Sequence, residues 1–124
     1  MSTAAQYALT SRKTRPASAL EVGDVRVDLA RREVSVAGRP VALRPKEFDL
    51  LAAFAAEPGV VLTRDRILNR VWGYKYLGES RTIDVHVAWL REKLRGSSVR
   101  IQTVWSIGYK LVAAEVAEAA EVKA

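Results

Sequence analysis

The sequence of 124 residues contains no cysteine and a single histidine, His86. Disulfide bonds, thiolate metal sites and cysteine nucleophiles are therefore excluded, and so are histidine-cluster metal sites and two-histidine mechanisms. No apolar run approaches the ~20 residues that a membrane-spanning helix needs, and no apolar stretch at the N-terminus precedes a small-residue cleavage site. We therefore expect a cytoplasmic protein without a metal, a cofactor or a membrane-spanning segment.

Enzymatic activity is also not expected, because no nucleophile and base, and no paired carboxylates, occur in a usable arrangement. His86 is the only candidate for acid–base chemistry, and Asp84 lies two positions before it. Side chains two positions apart on a helix point in different directions, so these two residues form no catalytic pair.

Composition and charge indicate a small globular protein with a polyanionic partner. The chain has the length of one domain, and 49% of its residues are apolar and 27% charged, close to the average for globular proteins. The net charge is +6. Residues 20–112 alone contain 16 basic and 11 acidic side chains, net +5. A basic folded part suggests nucleic acid or an acidic membrane surface as the partner.

The N-terminal half divides into an arm, short strands and two helices. Residues 1–19 are small, polar and basic without periodicity, which is typical of a flexible linker. Apolar residues then alternate with period two, which predicts three or four short antiparallel strands with a turn over residues 37–40. Pro45 suits the first turn of a helix that ends before Pro58, and Thr63 can cap a second, short helix.

The C-terminal half contains the most regular segment, a helix over about residues 80–95. A core stripe recurs at helical spacing in this segment and consists of Ile83, Val87, Leu90 and Leu94. The opposite face mixes small apolar groups, an indole and charged groups, and carries Arg81, Val85, Ala88, Trp89 and Glu92. Such a face is unusual for contact with water alone. Residues 99–112 then predict a hairpin that turns around residues 106–108, and residues 113–124 predict a frayed helix or a disordered tail.

Three stretches in this order carry a family resemblance: LRPKEFDLLAAFAAEPGVVLTRDRILNRVWG, RTIDVHVAWLREKL and IQTVWSIGYKL. Over residues 20–112 the chain resembles the C-terminal effector domain of OmpR/PhoB-type response regulators of bacterial two-component phosphorelay systems. The resemblance implies an α+β fold, a winged helix-turn-helix with an N-terminal four-stranded antiparallel sheet, three helices and a C-terminal β-hairpin wing. It also implies sequence-specific binding of double-stranded DNA by a transcription regulator, which would be located at the nucleoid and have no membrane partner.

The resemblance places the third helix in the major groove and the wing in the minor groove. A major groove about 12 Å wide admits one helix, whose exposed face reads base edges. The expected base-reading residues are Arg81, Val85, Ala88 and Trp89. The expected phosphate contacts are Trp72, Thr82, His86, Arg91, Arg95, Thr103 and Tyr109. The expected wing residues at the minor groove are Trp105 and Ser106. The loop expected to face RNA polymerase consists of Gly73, Tyr74, Lys75, Tyr76, Leu77, Gly78 and Glu79.

The sequence departs from the family pattern at four positions. Trp89 and Trp105 stand where many relatives have arginine, and Ser106 stands where the wing often has glycine, so two cationic contacts are missing. Arg44 replaces a frequent threonine N-cap and leaves only the Glu47 half of a capping box, which predicts a slightly weaker first helix.

Several structural alternatives stand beside these roles. His86 can be a surface residue without a ligand, Trp72 and Trp89 can belong to the core, and the cations around Arg91 can be a solvated face. The two loop tyrosines can serve only to hold the loop against the domain. The alternative function is a winged-helix protein-interaction module that contacts RNA polymerase or another protein.

The expected assembly is a monomer in solution that binds tandem half-sites head-to-tail. The sequence has no heptad seam, and one recognition helix reads too few base pairs to select a site in a genome. The chain is too short to include the receiver domain that usually precedes such a module. It is therefore expected to be either an excised C-terminal fragment or a free-standing regulator.

Overall fold

The computed structural model describes residues 19–113, and this part of the chain begins with a four-stranded antiparallel sheet. Its strands follow chain order: β1 (Ala19–Val22), β2 (Val25–Asp28), β3 (Glu33–Val36) and β4 (Arg39–Val41). In β2, Val25 and Val27 are buried, whereas the alternate residues Arg26 and Asp28 are partly exposed. One face of the sheet therefore covers the core, which is the arrangement that alternating sequences favour.

Three helical segments follow: α1 (Pro45–Ala56), α2 (Arg64–Ile67), which continues as a π-helical turn (Leu68–Trp72), and α3 (Arg81–Lys93). The Thr63 side chain caps α2 by accepting from the Arg66 backbone N–H at 3.2 Å. The wider π-helical turn closes with a bond from the Gly73 N–H to the Leu68 carbonyl at 2.8 Å. The second helix thus lies where the sequence predicts it, with a π-helical second half that the sequence does not indicate.

A three-stranded sheet completes the fold, with β5 (Leu62–Thr63), β6 (Val99–Val104) and β7 (Gly108–Ala113) in the order β5–β7–β6. The hairpin β6–β7 is the wing, and β5 ties it to the start of α2. Gly108 lies opposite Thr63, where a Cβ would collide with the backbone carbonyl of Leu62. Only glycine allows this approach of the two strands.

The core lies between the first sheet, α1 and α3. Leu50, Leu51 and Phe54 of α1 are fully buried, and the predicted stripe of α3 is buried along its whole length. The expected winged helix-turn-helix fold is confirmed. Within residues 19–113, no helix has the length and apolar character needed to cross a membrane.

The limits of the elements differ from the sequence prediction by a few residues. Ala19, assigned to the arm, pairs with Asp28 in β1, and Ala113, assigned to the tail, pairs with Val99 in β7. Arg39 and Pro40 lie in β4 and not in the preceding turn. In each case pairing with an adjacent strand extends the element, and residue composition alone does not indicate this pairing. The rest of the predicted arm and tail, residues 1–18 and 114–124, lies outside the described residues.

Candidate nucleic-acid interface

The outward face of α3 brings together the four expected base-reading residues. Arg81, Val85, Ala88 and Trp89 are all exposed, and Trp89 retains 40% of its accessible surface. Burial of the stripe that includes Ile83 fixes the rotation of the helix and so turns this face outward. Trp89 is therefore a surface residue at the edge of the domain and not a core residue.

A chain of aromatic rings runs from the loop to this face. Tyr76 contacts Trp72 at 6.0 Å between ring centroids, Trp72 contacts His86 at 5.1 Å, and His86 contacts Trp89 at 5.0 Å. Trp72 also packs against the core from its partly buried position. His86 Nδ1 donates to the Thr82 carbonyl at 2.8 Å, because a carbonyl oxygen can only accept. The free ring nitrogen for any outside partner is thus Nε2.

Arg91 joins α3 to the wing. Its Nε and Nη2 donate to the Ile101 carbonyl at 3.1 and 2.7 Å, and Nη2 also donates to Thr103 Oγ1 at 2.9 Å. These bonds use two of the three guanidinium nitrogens. Two expected phosphate contacts, Arg91 and Thr103, are therefore bonded to each other across the junction of helix and wing.

A second connection, which we call the wing lock, consists of Arg64, Asp84 and Tyr109. Arg64 donates to both carboxylate oxygens of Asp84, at 2.9 and 3.0 Å, and the Tyr109 hydroxyl donates to Asp84 Oδ1 at 2.5 Å. Arg64 also donates to the Ser80 carbonyl at 3.0 Å. The wing lock thus ties α2, the start of α3 and β7 together.

The electrostatics of the wing lock favour one protonation state. The hydrogen bonds from Arg64, with that from Tyr109, hold the pKa of Asp84 below its usual value. Burial, and then the bond to Asp84, raises the pKa of the Tyr109 phenol. Tyr109 is 7% exposed and donates its single hydroxyl proton to Asp84, so a donated bond from Tyr109 to a phosphate would have to replace the bond to Asp84.

The sequence analysis missed the wing lock, and no local signal could have shown it. Arg64 and Asp84 are 20 residues apart, and Tyr109 follows 25 residues after Asp84.

The tip of the wing exposes Trp105, Ser106 and Ile107. Ser106 has φ +69°, a left-handed conformation that glycine adopts without steric cost. The two sequence departures at this tip therefore place an indole in solvent and a non-glycine residue in a glycine-like turn.

The loop 73–79 presents apolar side chains to solvent. Leu77 is 96% exposed, and Tyr74 is also exposed. Tyr76 is half-buried against Trp72, and its hydroxyl reaches the Glu79 carbonyl at 3.4 Å. Of the two tyrosines, Tyr76 holds the loop to the domain and Tyr74 does not.

Two further arginines lie near α3. Arg95 is exposed and pairs with Glu92 at 3.3 Å. Arg44 lies over the ring of Trp89, 4.5 Å from Cζ to the centroid, and its Nη1 donates to Glu47 Oε2 at 2.8 Å. Glu47 Oε1 accepts from the Arg44 backbone N–H at 2.8 Å, which is the expected half of the capping box. The added ion pair offsets the predicted weakness at the start of α1.

An exposed mixed helix face, an adjoining hairpin wing and a basic surface define a winged-helix DNA-binding module of transcription regulators. Residues 38–111 match the family described as transcriptional regulatory protein, C terminal, and the chain belongs to this family. It is of the OmpR/PhoB response-regulator type, and the family places it among DNA-binding regulator domains and not among enzymes.

Individual relatives agree with this assignment. The chain is 50% identical over 94 residues to the transcriptional regulatory protein CseB of Streptomyces coelicolor, covering 76% of this chain and 39% of CseB. It is 47% identical over 95 residues to the sensory transduction protein RegX3 of Mycolicibacterium smegmatis, covering 74% and 42%. The chain thus spans about two fifths of the length of these relatives. The DNA-binding domain of Klebsiella pneumoniae RstA, solved in complex with the RstA box, has a TM-score of 0.68 and 33% identity, covering 76% of this chain and 96% of that one.

Proposed function

We propose that this domain binds double-stranded DNA sequence-specifically, with α3 in the major groove and the wing in the minor groove. The observation that carries the proposal is the outward face of α3, where Val85, Ala88 and Trp89 are exposed beside Arg81. Small apolar side chains allow close approach to base edges and can contact a thymine methyl, and arginine can bind guanine. A helix face that contacts only solvent does not require this combination of small apolar, aromatic and cationic side chains.

Phosphate contacts around this face would fix the register of the domain on the duplex. We assign them to Trp72, Thr82, His86, Arg95, Thr103 and to the Nη1 group of Arg91, which its bonds to β6 do not use. The exposed Trp105 and Ser106 at the tip of the wing are the residues placed to reach the minor groove. Tyr109 has a different role in this proposal: it positions the wing through Asp84.

The proposed assembly is a monomer that occupies two tandem half-sites head-to-tail, about one helical turn or ~10–10.5 base pairs apart. The loop 73–79 is the proposed contact with RNA polymerase, because Leu77 and Tyr74 expose apolar surface without any partner in the described chain that covers them. Such a regulator would act in the cytoplasm, at the nucleoid.

Selection of bound fragments from genomic DNA tests the proposal, followed by gel-shift titration of the selected duplex at several salt concentrations. We expect tandem half-sites and a salt-dependent shift that unrelated DNA competes poorly. Lengthening the spacing by five base pairs, or inverting one half-site, should abolish cooperative occupancy. Binding that survives the half-turn insertion would contradict the tandem arrangement, and absence of any specific shift would favour the protein-interaction alternative.

Trp89→Ala tests the reading face itself. The variant should change the preferred base at one position in each half-site, with a loss of ~1–3 kcal/mol on the best sequence. Gln102→Ala, at an exposed residue of β6, is the control and should leave the preference unchanged. If Trp89→Ala binds with the wild-type preference, Trp89 does not read bases.

A further inference from the structure

We propose that Arg44, which lies outside the recognition helix, contacts a DNA phosphate at the edge of the major groove. This inference rests on the proposed function. It assigns a role to a residue that the sequence analysis treated only as an unfavourable N-cap of α1.

The guanidinium of Arg44 is held on two sides. On one side Nη1 donates to Glu47, whose side chain is fully buried, and a buried carboxylate needs such a partner. On the other side the guanidinium lies 4.5 Å above the ring of Trp89. The Arg44 side chain nevertheless remains 60% exposed. The donors Nε and Nη2, which Glu47 does not use, therefore stay available to an outside acceptor in a fixed orientation.

The position of Arg44 relative to α3 identifies that acceptor. Lys93, one turn beyond Trp89, donates to the Ala42 carbonyl at 2.9 Å, so the segment before α1 runs along one side of the recognition helix. A helix with its side chains is about 10–12 Å wide and fills a groove of about 12 Å. A side chain that approaches from beside the helix therefore meets the wall of the groove, which is the phosphate backbone.

The charge along this side of α3 is favourable for an anion. Lys46 donates to the Val71 carbonyl at 2.9 Å, beside Trp72, whose ring is linked to that of Trp89 through His86. Arg44, Lys46 and Lys93 contribute three positive charges, of which the buried Glu47 carboxylate offsets one, and the nearby Glu92 on α3 pairs with Arg95. Trp89 carries no charge itself, so Arg44 supplies a cation next to it from a different element of the fold.

The test compares the dependence of DNA affinity on salt in matched variants. Arg44→Thr removes the cation but keeps an N-cap, because threonine accepts a backbone hydrogen bond at this position. Affinity should fall by roughly three- to tenfold for specific and unrelated duplexes alike. The slope of log affinity against log salt should become shallower by about one unit, as for the loss of one phosphate contact. Arg44→Lys should keep the slope.

Arg26→Thr is the matched control, because Arg26 also pairs with a glutamate, at 2.9 Å, but lies on β2. This variant should retain the wild-type slope. An unchanged slope in Arg44→Thr would overturn the proposal, and so would a changed base preference with an unchanged slope, since Arg44 would then act only by orienting Trp89. A wild-type domain that binds no duplex would instead reject the proposed function, and this inference with it.

Discussion

Replacement of Tyr109 by phenylalanine removes one hydroxyl from the wing lock and leaves the packing intact. The ring is almost fully buried, so phenylalanine creates no cavity and brings no new polar group. The lost interaction is the hydrogen bond to Asp84 Oδ1 at 2.5 Å. The variant therefore measures what the connection between β7 and α3 contributes to stability.

The expected loss follows from the chemistry of the bond. A hydrogen bond to an ionised group contributes roughly 1.5–3 kcal/mol. The Asp84 side chain is 44% exposed and keeps both bonds from Arg64, so solvent and the remaining partner reduce the loss. We expect about 1–2 kcal/mol at pH 7, or about 5–10 °C in Tm for a domain of this size.

The pH dependence identifies the bond. The depressed pKa of Asp84 contributes stability above about pH 4, which is lost as pH falls through the folded-state pKa. The raised pKa of Tyr109 contributes stability below about pH 10, which is lost as pH rises through the folded-state pKa. The difference in unfolding free energy between wild type and Tyr109→Phe should therefore be constant between these limits and shrink beyond either one.

Urea unfolding across pH measures this difference. The matched control is Tyr76→Phe. Its hydroxyl lies 3.4 Å from the Glu79 carbonyl, which is long for a hydrogen bond, so its removal should change stability by less than about 0.5 kcal/mol. If Tyr109→Phe is as stable as the wild type at pH 7, or if the difference persists unchanged at low and high pH, the bond to Asp84 does not stabilise the wing.

Two further substitutions test the junction of helix and wing. Arg91→Ala should lower stability by about 1–2 kcal/mol and speed amide hydrogen exchange in β6, because it removes the bonds to the Ile101 carbonyl, and it should also make the salt slope shallower by about one unit. Unchanged exchange with a shallower slope would mean that Arg91 contacts only phosphate. Gly108→Ala should cost about 2–3 kcal/mol in urea unfolding, because its Cβ would collide with the Leu62 carbonyl. A neutral effect would show that β5 and β7 can separate without loss of stability.

Features governed by local periodicity could be predicted from the sequence. The stripe of α3 contains residues three or four apart, so burial of Ile83 and Leu90 and exposure of Val85 and Trp89 follow from the helical repeat. The strands β1 to β4 follow in the same way from alternation. The expected fold was therefore correct, although strand pairing moved several boundaries.

Features that depend on distant partners could not be predicted. The π-helical turn receives such a contact from α1, where the Lys46 ammonium group donates to the Val71 carbonyl, 25 positions away in the sequence. Arg44 and Trp89 are 45 positions apart, and neither their residue types nor their spacing predicts the contact between them. The family resemblance predicts a phosphate contact for Arg91, whereas its bonds to the Ile101 carbonyl are visible only in the structure.

The two sides of α3 distribute their charges differently, and the difference follows from what each side adjoins. On the wing side, Arg64 donates hydrogen bonds to Asp84, and Arg91 donates hydrogen bonds to the Ile101 carbonyl. These bonds fix the wing relative to the helix. In the proposed complex, α3 and the wing enter adjacent grooves and need such a fixed spacing, because a small displacement would prevent one of them from reaching its groove. On the other side no second groove element has to be placed. The guanidinium of Arg44 can therefore lie over Trp89 and still keep Nε and Nη2 for the proposed phosphate contact.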